Sequence, residues 1–193
     1  VVAVPFTPVT GRRLLLSAEA GAVERAALLQ GLRAVVRKTD ASSIHVNFPT
    51  RAEWESLGQD GMLQRTGQQF HFFNRGYASF DDFASELASR KRKAIRKERA
   101  TALSAGVEIE WVTGSDLAEA HWDAFFAFYM DTGSRKWGRP YLTRTFFSLL
   151  GERLADRVLL VMAKRAGRYI GGALNLIGDD ALYGRNWGAI EEH

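Results

Sequence analysis

The segment that most constrains the fold is "RVLLVMAKRAGRYIGGALNLIGDDALYGRNWG", residues 157–188. It contains three runs rich in apolar residues, which are separated by two tight turns, "RAGR" and "GDD". Strands joined by such short turns run antiparallel, because a parallel neighbour needs a crossover connection of a dozen or more residues. The segment therefore predicts three successive strands of one antiparallel sheet.

Helical patterns are interspersed with strand patterns along the rest of the chain. Residues 18–38 have an apolar side at helical spacing, and Ser79, Ser89 and Thr143 are placed to cap the starts of later helices. Further strands are predicted at residues 1–4, 43–48, 62–74 and 107–112. This mixture indicates the α/β (α+β) class, with a mixed, largely antiparallel sheet flanked by helices.

Composition excludes several kinds of protein. The 193 residues include no Cys, so a disulfide framework, a thiolate metal site and a Cys nucleophile are excluded. The four His residues have no partner at ligand spacing, and no metal is predicted. No apolar run approaches the roughly 20 residues that span a bilayer, and no signal peptide is visible, so a cytoplasmic location is expected. A chain that opens and closes on strand patterns is expected to be a fragment of a longer protein.

The most charged stretch is "ASRKRKAIRKERA", residues 88–100, with seven Lys or Arg and a single acid, Glu98. On a helix, Ala94, Ile95 and Ala102 would form a partly apolar side that packs on the sheet. Arg92, Arg96 and Arg99 would share a second side, and Arg90, Lys93 and Lys97 a third. A basic block of this kind either faces solvent or binds phosphates. We expect Arg92, Arg96 and Arg99 to contact phosphate or RNA.

Two other clusters combine cations with aromatic rings. "SRKWGRPY" contributes Arg135, Lys136, Trp137 and Tyr141, while "YGRNW" contributes Tyr183, Arg185 and Trp187. Strand alternation would put the last three on one face, with Asn186 on the other. These seven residues are the predicted substrate-binding set, and we expect all of them except Lys136 to line one cavity. The alternative is that the aromatic rings serve the core or the surface, with no ligand.

The segment "RYIGGA", residues 168–173, fits the R-x-x-G-x-A pattern with which acyl-CoA transferases hold a pyrophosphate. That loop must open a helix, whose N-terminal amides then point at the phosphates. Because strand patterns lie on both sides of this segment, we interpret its glycines as part of a turn and strand.

Three segments of the chain resemble those of a known family. "FHFFNRGYASFDDFASELASRKRKAIRKERATALSAGVEIEW", "FYMDTGSRKWGRPYLTRTFF" and "GGALNLIGDDALYGRNWGA" are similar to the bacterial FemAB-like proteins, which are labelled as peptidoglycan-biosynthesis proteins. The resemblance covers nearly the whole chain. It implies a GNAT-type acyltransferase fold in tandem: residues 1–75 would be the C-terminal half of one unit, and residues 76–193 the N-terminal half of a second.

The resemblance also implies a reaction. Fem-type enzymes move an amino acid from aminoacyl-tRNA to an amine of a peptidoglycan precursor, while other GNAT proteins use acyl-CoA, so the acyl donor is expected to be one of these two. The partners would be a small-molecule or peptide amine acceptor and, for the first donor, tRNA. The carboxylates available as a base near the aromatic clusters are Asp131, Glu191 and Glu192, and the predicted catalytic residues are Asp131 and Glu191. A non-catalytic RNA- or phosphate-binding module on the same scaffold is the alternative.

Overall fold

A computed structural model describes residues 9–135 and 140–191. The chain divides between Phe73 and Asn74 into two compact units. Within the described residues the helices are α1 Ala22–Lys38, α2 Arg51–Gln59, α3 Phe80–Glu86, α4 Ser89–Ser104, α5 Glu119–Ser134 and α6 Arg144–Leu154. The strands are β1 Val107–Thr113, β2 Val158–Arg165, β3 Arg168–Ile177 and β4 Leu182–Ala189. No described helix has the length and apolar character needed to cross a membrane.

The first unit is held together by a small core and one carboxylate. Leu14, Leu29 and Leu57 form the buried cluster between α1 and α2. Glu53 accepts hydrogen bonds from the backbone N–H groups of Arg13 and Leu14, both at 2.8 Å, and from Thr50 at the start of α2. Burial raises the pKa of Glu53, but these backbone N–H groups outweigh it, so the pKa is lowered overall.

The strands predicted at 43–48 and 62–74 are wrong. Among the described residues of this unit only an isolated bridge at Val46 is present, and the stretch after α2 is irregular. A strand needs a neighbour for its N–H and C=O groups, and no described segment of this unit pairs along these residues. Phe70, Phe72 and Phe73 are consequently exposed. The strand predicted at residues 1–4 lies outside the described residues.

The second unit contains a four-stranded sheet in the order β1-β2-β3-β4, and every pair is antiparallel. Ala166 and Gly167 both have positive φ, 48° and 76°, as a two-residue hairpin turn between β2 and β3 requires. The predicted fold class is therefore confirmed, as is the interpretation of "RYIGGA" as strand, because Arg168 opens β3. That the two units are halves of GNAT domains stays a prediction.

Helices α5 and α6 cover one face of this sheet. Alternate residues of β2, namely Val158, Leu160 and Met162, are fully buried against aromatic residues of the two helices. The ten buried residues of this core are Val112, Trp122, Phe125, Phe128, Phe147, Leu150, Val158, Leu160, Met162 and Leu174. The opposite face carries side chains that remain exposed, including Trp111 and Trp187 at 71% and 67%.

Helices α3 and α4 precede the sheet. The Ser79 hydroxyl caps α3 by accepting from the Asp82 N–H, and Gly106, at φ 68°, follows the end of α4. The predicted packing of α4 on the sheet through Ala94, Ile95 and Ala102 is wrong, because α4 has no buried residue. Ala94 and Ala102 are exposed and Ile95 is half-buried, while side chains such as Arg96 reach α3.

Candidate functional site

Strand β4 has a bulge at Arg185. Gly184 pairs with Asn175 and Asn186 pairs with Leu174, so Arg185 has no partner on β3. A bulge re-aims the extra side chain, and here the Arg185 guanidinium donates to the Tyr141 hydroxyl at 2.5 Å. The structure therefore joins two of the predicted site residues.

The segment containing Tyr141 is fixed by helix α5. The Tyr129 hydroxyl accepts from the backbone N–H groups of Tyr141 and Leu142, at 3.0 and 3.1 Å. Tyr129 thus connects α5 to the segment before α6, and Tyr141 connects that segment to the bulge in β4. Sequence reasoning missed Tyr129, which is one of several aromatic residues on α5.

Helix α5 and strand β4 approach very closely at Gly188. A Cβ atom there would lie 2.5 Å from the Phe128 carbonyl oxygen and 2.7 Å from the Thr132 hydroxyl oxygen. Only glycine permits this approach of backbone to backbone. The consequence is that α5 closes tightly over the end of β4 that follows the bulge.

Two buried polar atoms at this junction have no hydrogen-bond partner among the described residues: Thr132 Oγ1 on α5 and Asn186 Oδ1 on β4. An unsatisfied buried polar group costs about 1–3 kcal/mol, so each requires an explanation such as strain, a functional role, water or an ion. Asn186 pairs with the buried Leu174, which places it on the side of the sheet that α5 covers. The one sequence signal was a lone Asn pointing away from its charged and aromatic neighbours.

The two carboxylate candidates have different partners. Asp131, near the end of α5, forms an ion pair with Arg135, and Arg135 also donates to the Ala189 carbonyl at 2.8 Å. Glu191 is largely buried, and its two oxygens accept from Arg165 and Arg168. Within the part of the chain that is described, no contact joins Asp131 to Glu191. Asp131 lies beside the α5–β4 junction, whereas Glu191 anchors the β2–β3 hairpin.

The prediction that Tyr183, Arg185 and Trp187 share a face is wrong. Tyr183 pairs with Leu176, which packs against the core, while Trp187 pairs with Ala173 on the open side. The bulge between them changes the parity of the strand, which simple alternation does not anticipate. Tyr183 therefore lies on the same side as the core, and Trp187 cannot line a cavity with it. Lys136, Trp137 and Glu192 lie outside the described residues.

The three arginines of α4 that were predicted to contact phosphate or RNA have partners on α3, and that they bind phosphate stays a prediction. Arg92 donates to the Ser85 carbonyl at 3.1 Å, Arg96 pairs with Asp81 at 2.8 Å, and the Arg99 guanidinium lies 4.0 Å from the Phe80 ring centroid. Their positions at i, i+4 and i+7 point them at one neighbour. This side of α4 braces the two helices.

Two further polar networks lie on the side of the sheet that α5 and α6 cover. Glu110 accepts from the Lys164 ammonium at 2.9 Å and from the Tyr169 hydroxyl at 2.7 Å, and these bonds lower its pKa. Glu119 accepts from the Ser148 hydroxyl at 2.8 Å and from Arg144 at 2.7 Å, with the same effect on its pKa. Both carboxylates are therefore held in structural ion pairs.

A cavity of about 360 Å³ lies between the first turn of α5 and α6. Its lining is Leu117, Glu119, Trp122, Ser148, Gly151 and Glu152, which includes no predicted site residue. Across residues 9–135 and 140–191, no group of three or more His, Asp or Glu is placed to hold a metal ion. The α5–β4 junction thus remains the site with the strongest chemical signature.

Comparison with known proteins gives one family. The family model described as FemAB-like, peptidoglycan biosynthesis/recognition, matches residues 1–193, the whole chain. No curated protein matches the chain.

Proposed function

We propose that this chain, which belongs to the FemAB-like family, transfers an acyl or aminoacyl group to an amine at the junction of α5 and β4. The single observation that carries the proposal is the pair of unsatisfied polar atoms, Thr132 Oγ1 and Asn186 Oδ1, beside a bulged strand. Buried polar groups normally have a partner, so two of them with none among the described residues mark a place where a water or a polar group of a substrate can bind. Membership of a family of peptidoglycan biosynthesis or recognition favours a substrate there.

The reaction needs three functions. The nitrogen of the amine attacks the carbonyl carbon, a C–N bond forms, and the bond to the leaving oxygen of an ester or the leaving sulfur of a thioester breaks. The proton of the amine must reach a base, and the negative charge that develops on the carbonyl oxygen must be stabilised. Finally, the leaving group must take up a proton.

We assign the stabilisation of the oxyanion and the role of the base to residues around the junction. Arg185, aimed by the bulge and held by Tyr141, would stabilise the oxyanion. Asp131 would be the base, reached through a water ordered by Thr132 and Asn186, because two polar partners satisfy the minimum for a buried water. Tyr183 and Arg135 would flank the substrate. Glu191 is the weaker candidate for the base, since both its oxygens accept from arginines.

We propose the donor and the acceptor on the basis of the family to which the chain belongs. Aminoacyl-tRNA is the first choice of donor, acyl-CoA the second, and the acceptor is the amine of a peptidoglycan precursor.

We also retain residues 1–75 and 76–193 as halves of two GNAT units. The sequence of elements β1-α5-α6-β2-β3-β4 and the division after Phe73 support this assignment.

The test is a transfer assay with the full chain. Radiolabelled aminoacyl-tRNA and radiolabelled acetyl-CoA are supplied separately, each with a lysine-containing peptide as the acceptor, and label in the peptide is counted. We expect transfer from one donor and a loss on the order of a hundredfold in Arg185→Gln. Arg157→Gln is the matched control, because Arg157 forms an exposed pair with Asp179. An Arg185→Gln variant as active as this control would refute the assignment.

A further inference from the structure

The basic helix α4 has a second side whose cations are unpaired. Arg90, Lys93 and Lys97 occupy positions i, i+3 and i+7, and all three side chains are exposed. Among the described residues none of them has a hydrogen-bond or ion-pair partner. We call these three residues the outer stripe, and we call Arg92, Arg96 and Arg99 the inner stripe. The inner stripe therefore has partners on α3, whereas the outer stripe has no partner among the described residues.

The acids close to α4 do not neutralise the outer stripe. On α3, Asp81 pairs with Arg96 and Asp82 caps the backbone at Ala78, while Glu86, in its last turn, accepts from Tyr77. The single acid of α4, Glu98, is about 80°, 140° and 100° around the helix from Arg90, Lys93 and Lys97 at 100° per residue, and no ion pair joins it to them within the described residues. The positive field of the outer stripe is consequently left to solvent ions or to a partner.

We infer that the outer stripe binds the phosphate backbone of a nucleic acid. The axial rise of 1.5 Å per residue separates its members by about 4.5 and 6 Å along one line. This separation is of the same order as that of successive phosphates along one strand. Each contact then releases a counterion, and binding needs no particular base sequence.

A lipid surface is the other polyanion to consider, and α4 is poorly suited to it. Helices that lie in a membrane interface bury a face of Trp, Phe or Leu in the acyl boundary. The outer stripe is flanked by Ala94, Ala100 and Thr101, and the half-buried Ile95 is on the far side of the helix. Electrostatic attraction to backbone phosphates requires no such apolar face.

This inference does not rest on acyl transfer, because a nucleic acid can bind α4 whether or not the α5–β4 junction is catalytic. Its test is therefore a binding measurement without turnover. Fluorescence anisotropy of a labelled RNA hairpin, and of a DNA duplex of the same sequence, is recorded with the full chain over a series of salt concentrations. The two probes distinguish an RNA partner from a DNA partner.

The chain offers a charge-matched control. The outer variant Arg90→Gln/Lys93→Gln/Lys97→Gln and the inner variant Arg92→Gln/Arg96→Gln/Arg99→Gln each remove three charges from the same helix. We expect the outer variant to lower the log–log salt slope by about three units, with affinity falling on the order of a hundredfold or more at low salt. The inner variant should keep most of the binding. The conservative variant Arg90→Lys/Lys93→Arg/Lys97→Arg, which retains the charge, should bind like the wild type.

Three results would overturn the inference. The first is no binding of either probe by the wild type at low salt. The second is an equal loss in the outer and inner variants with circular dichroism unchanged. The third is binding to vesicles of phosphatidylcholine and phosphatidylglycerol in place of binding to the nucleic acids.

Discussion

The two faces of the sheet differ in what covers them. On the side of α5 and α6, buried strand residues such as Leu160 pack against Phe147 and its aromatic neighbours. On the open side, Trp111, Val161, Ala173 and Trp187 form one row across all four strands, and the two tryptophans at its ends are exposed. Both faces are apolar, so hydrophobicity alone does not say which one forms the core. The buried core and the two unsatisfied polar atoms of the candidate site both lie on the covered face.

The largest expected effect is on the free energy of unfolding, when an aromatic residue of the core is replaced and compared with one on the open face. Phe147→Ala removes a fully buried ring and should lower the free energy of unfolding by about 3–5 kcal/mol. Trp187→Ala removes a ring of similar size, but 67% of the residue is exposed, so the change should stay within about 1 kcal/mol. Urea denaturation of both variants is the measurement. Similar losses would mean that Trp187 is buried in solution.

A second contrast uses two glycines of β4 on opposite faces. In Gly188→Ala the new Cβ would meet the Phe128 carbonyl at 2.5 Å, and backbone cannot move aside cheaply. A loss of about 1–3 kcal/mol or more is expected from this overpacking. In Gly184→Ala the closest atom is Asn175 Oδ1 at 3.7 Å, an ordinary contact. Thermal unfolding should show little change there, and a large loss at Gly184 would contradict the assignment of faces.

The smallest effect concerns pH, through Glu110 on the covered side. Hydrogen bonds from Lys164 and Tyr169 lower its pKa in the folded state. A lowered folded pKa gives stability that is present above the unfolded pKa and is lost as pH falls through the folded pKa. The stability difference between the wild type and Glu110→Gln should therefore be greatest at neutral pH and shrink under acid. Denaturation curves across that range measure it, and a difference that is constant with pH would contradict this role.

Sequence reasoning was most successful where one local signal determines the structure. The "RAGR" and "GDD" turns identified the β2–β3–β4 meander, and Ser79 and Thr143 marked helix starts, because caps and tight turns depend on a few adjacent residues. Ser89 begins α4 and does not cap it, since Ala88 is in the cap position. The strands predicted at 43–48 and 62–74 failed because pairing depends on a partner that the local pattern does not reveal. For the same reason the pattern did not show that α4 would contact α3.

The candidate site was less accessible to sequence reasoning. Cation–aromatic pairing selected Tyr141 and Arg185, which are in contact, and their role in binding stays a prediction. The bulge at Arg185 reversed the parity on which the placement of Trp187 rested. Thr132 has no distinctive motif, and the lone Asn186 among charged and aromatic neighbours was the one sequence signal. Both residues stand out once folding buries an oxygen atom of each with no partner among the described residues.

The most direct test of the central claim is the rate of label transfer by Thr132→Val, measured beside its free energy of unfolding. Valine keeps the shape of threonine and removes the hydroxyl, so the bond to the proposed water is lost without a cavity. If Thr132 serves the reaction at the α5–β4 junction, the free energy of unfolding should change by no more than about 1 kcal/mol, while the transfer rate falls at least tenfold. An unchanged rate, or a loss of stability that accounts for the loss of rate, would contradict the claim.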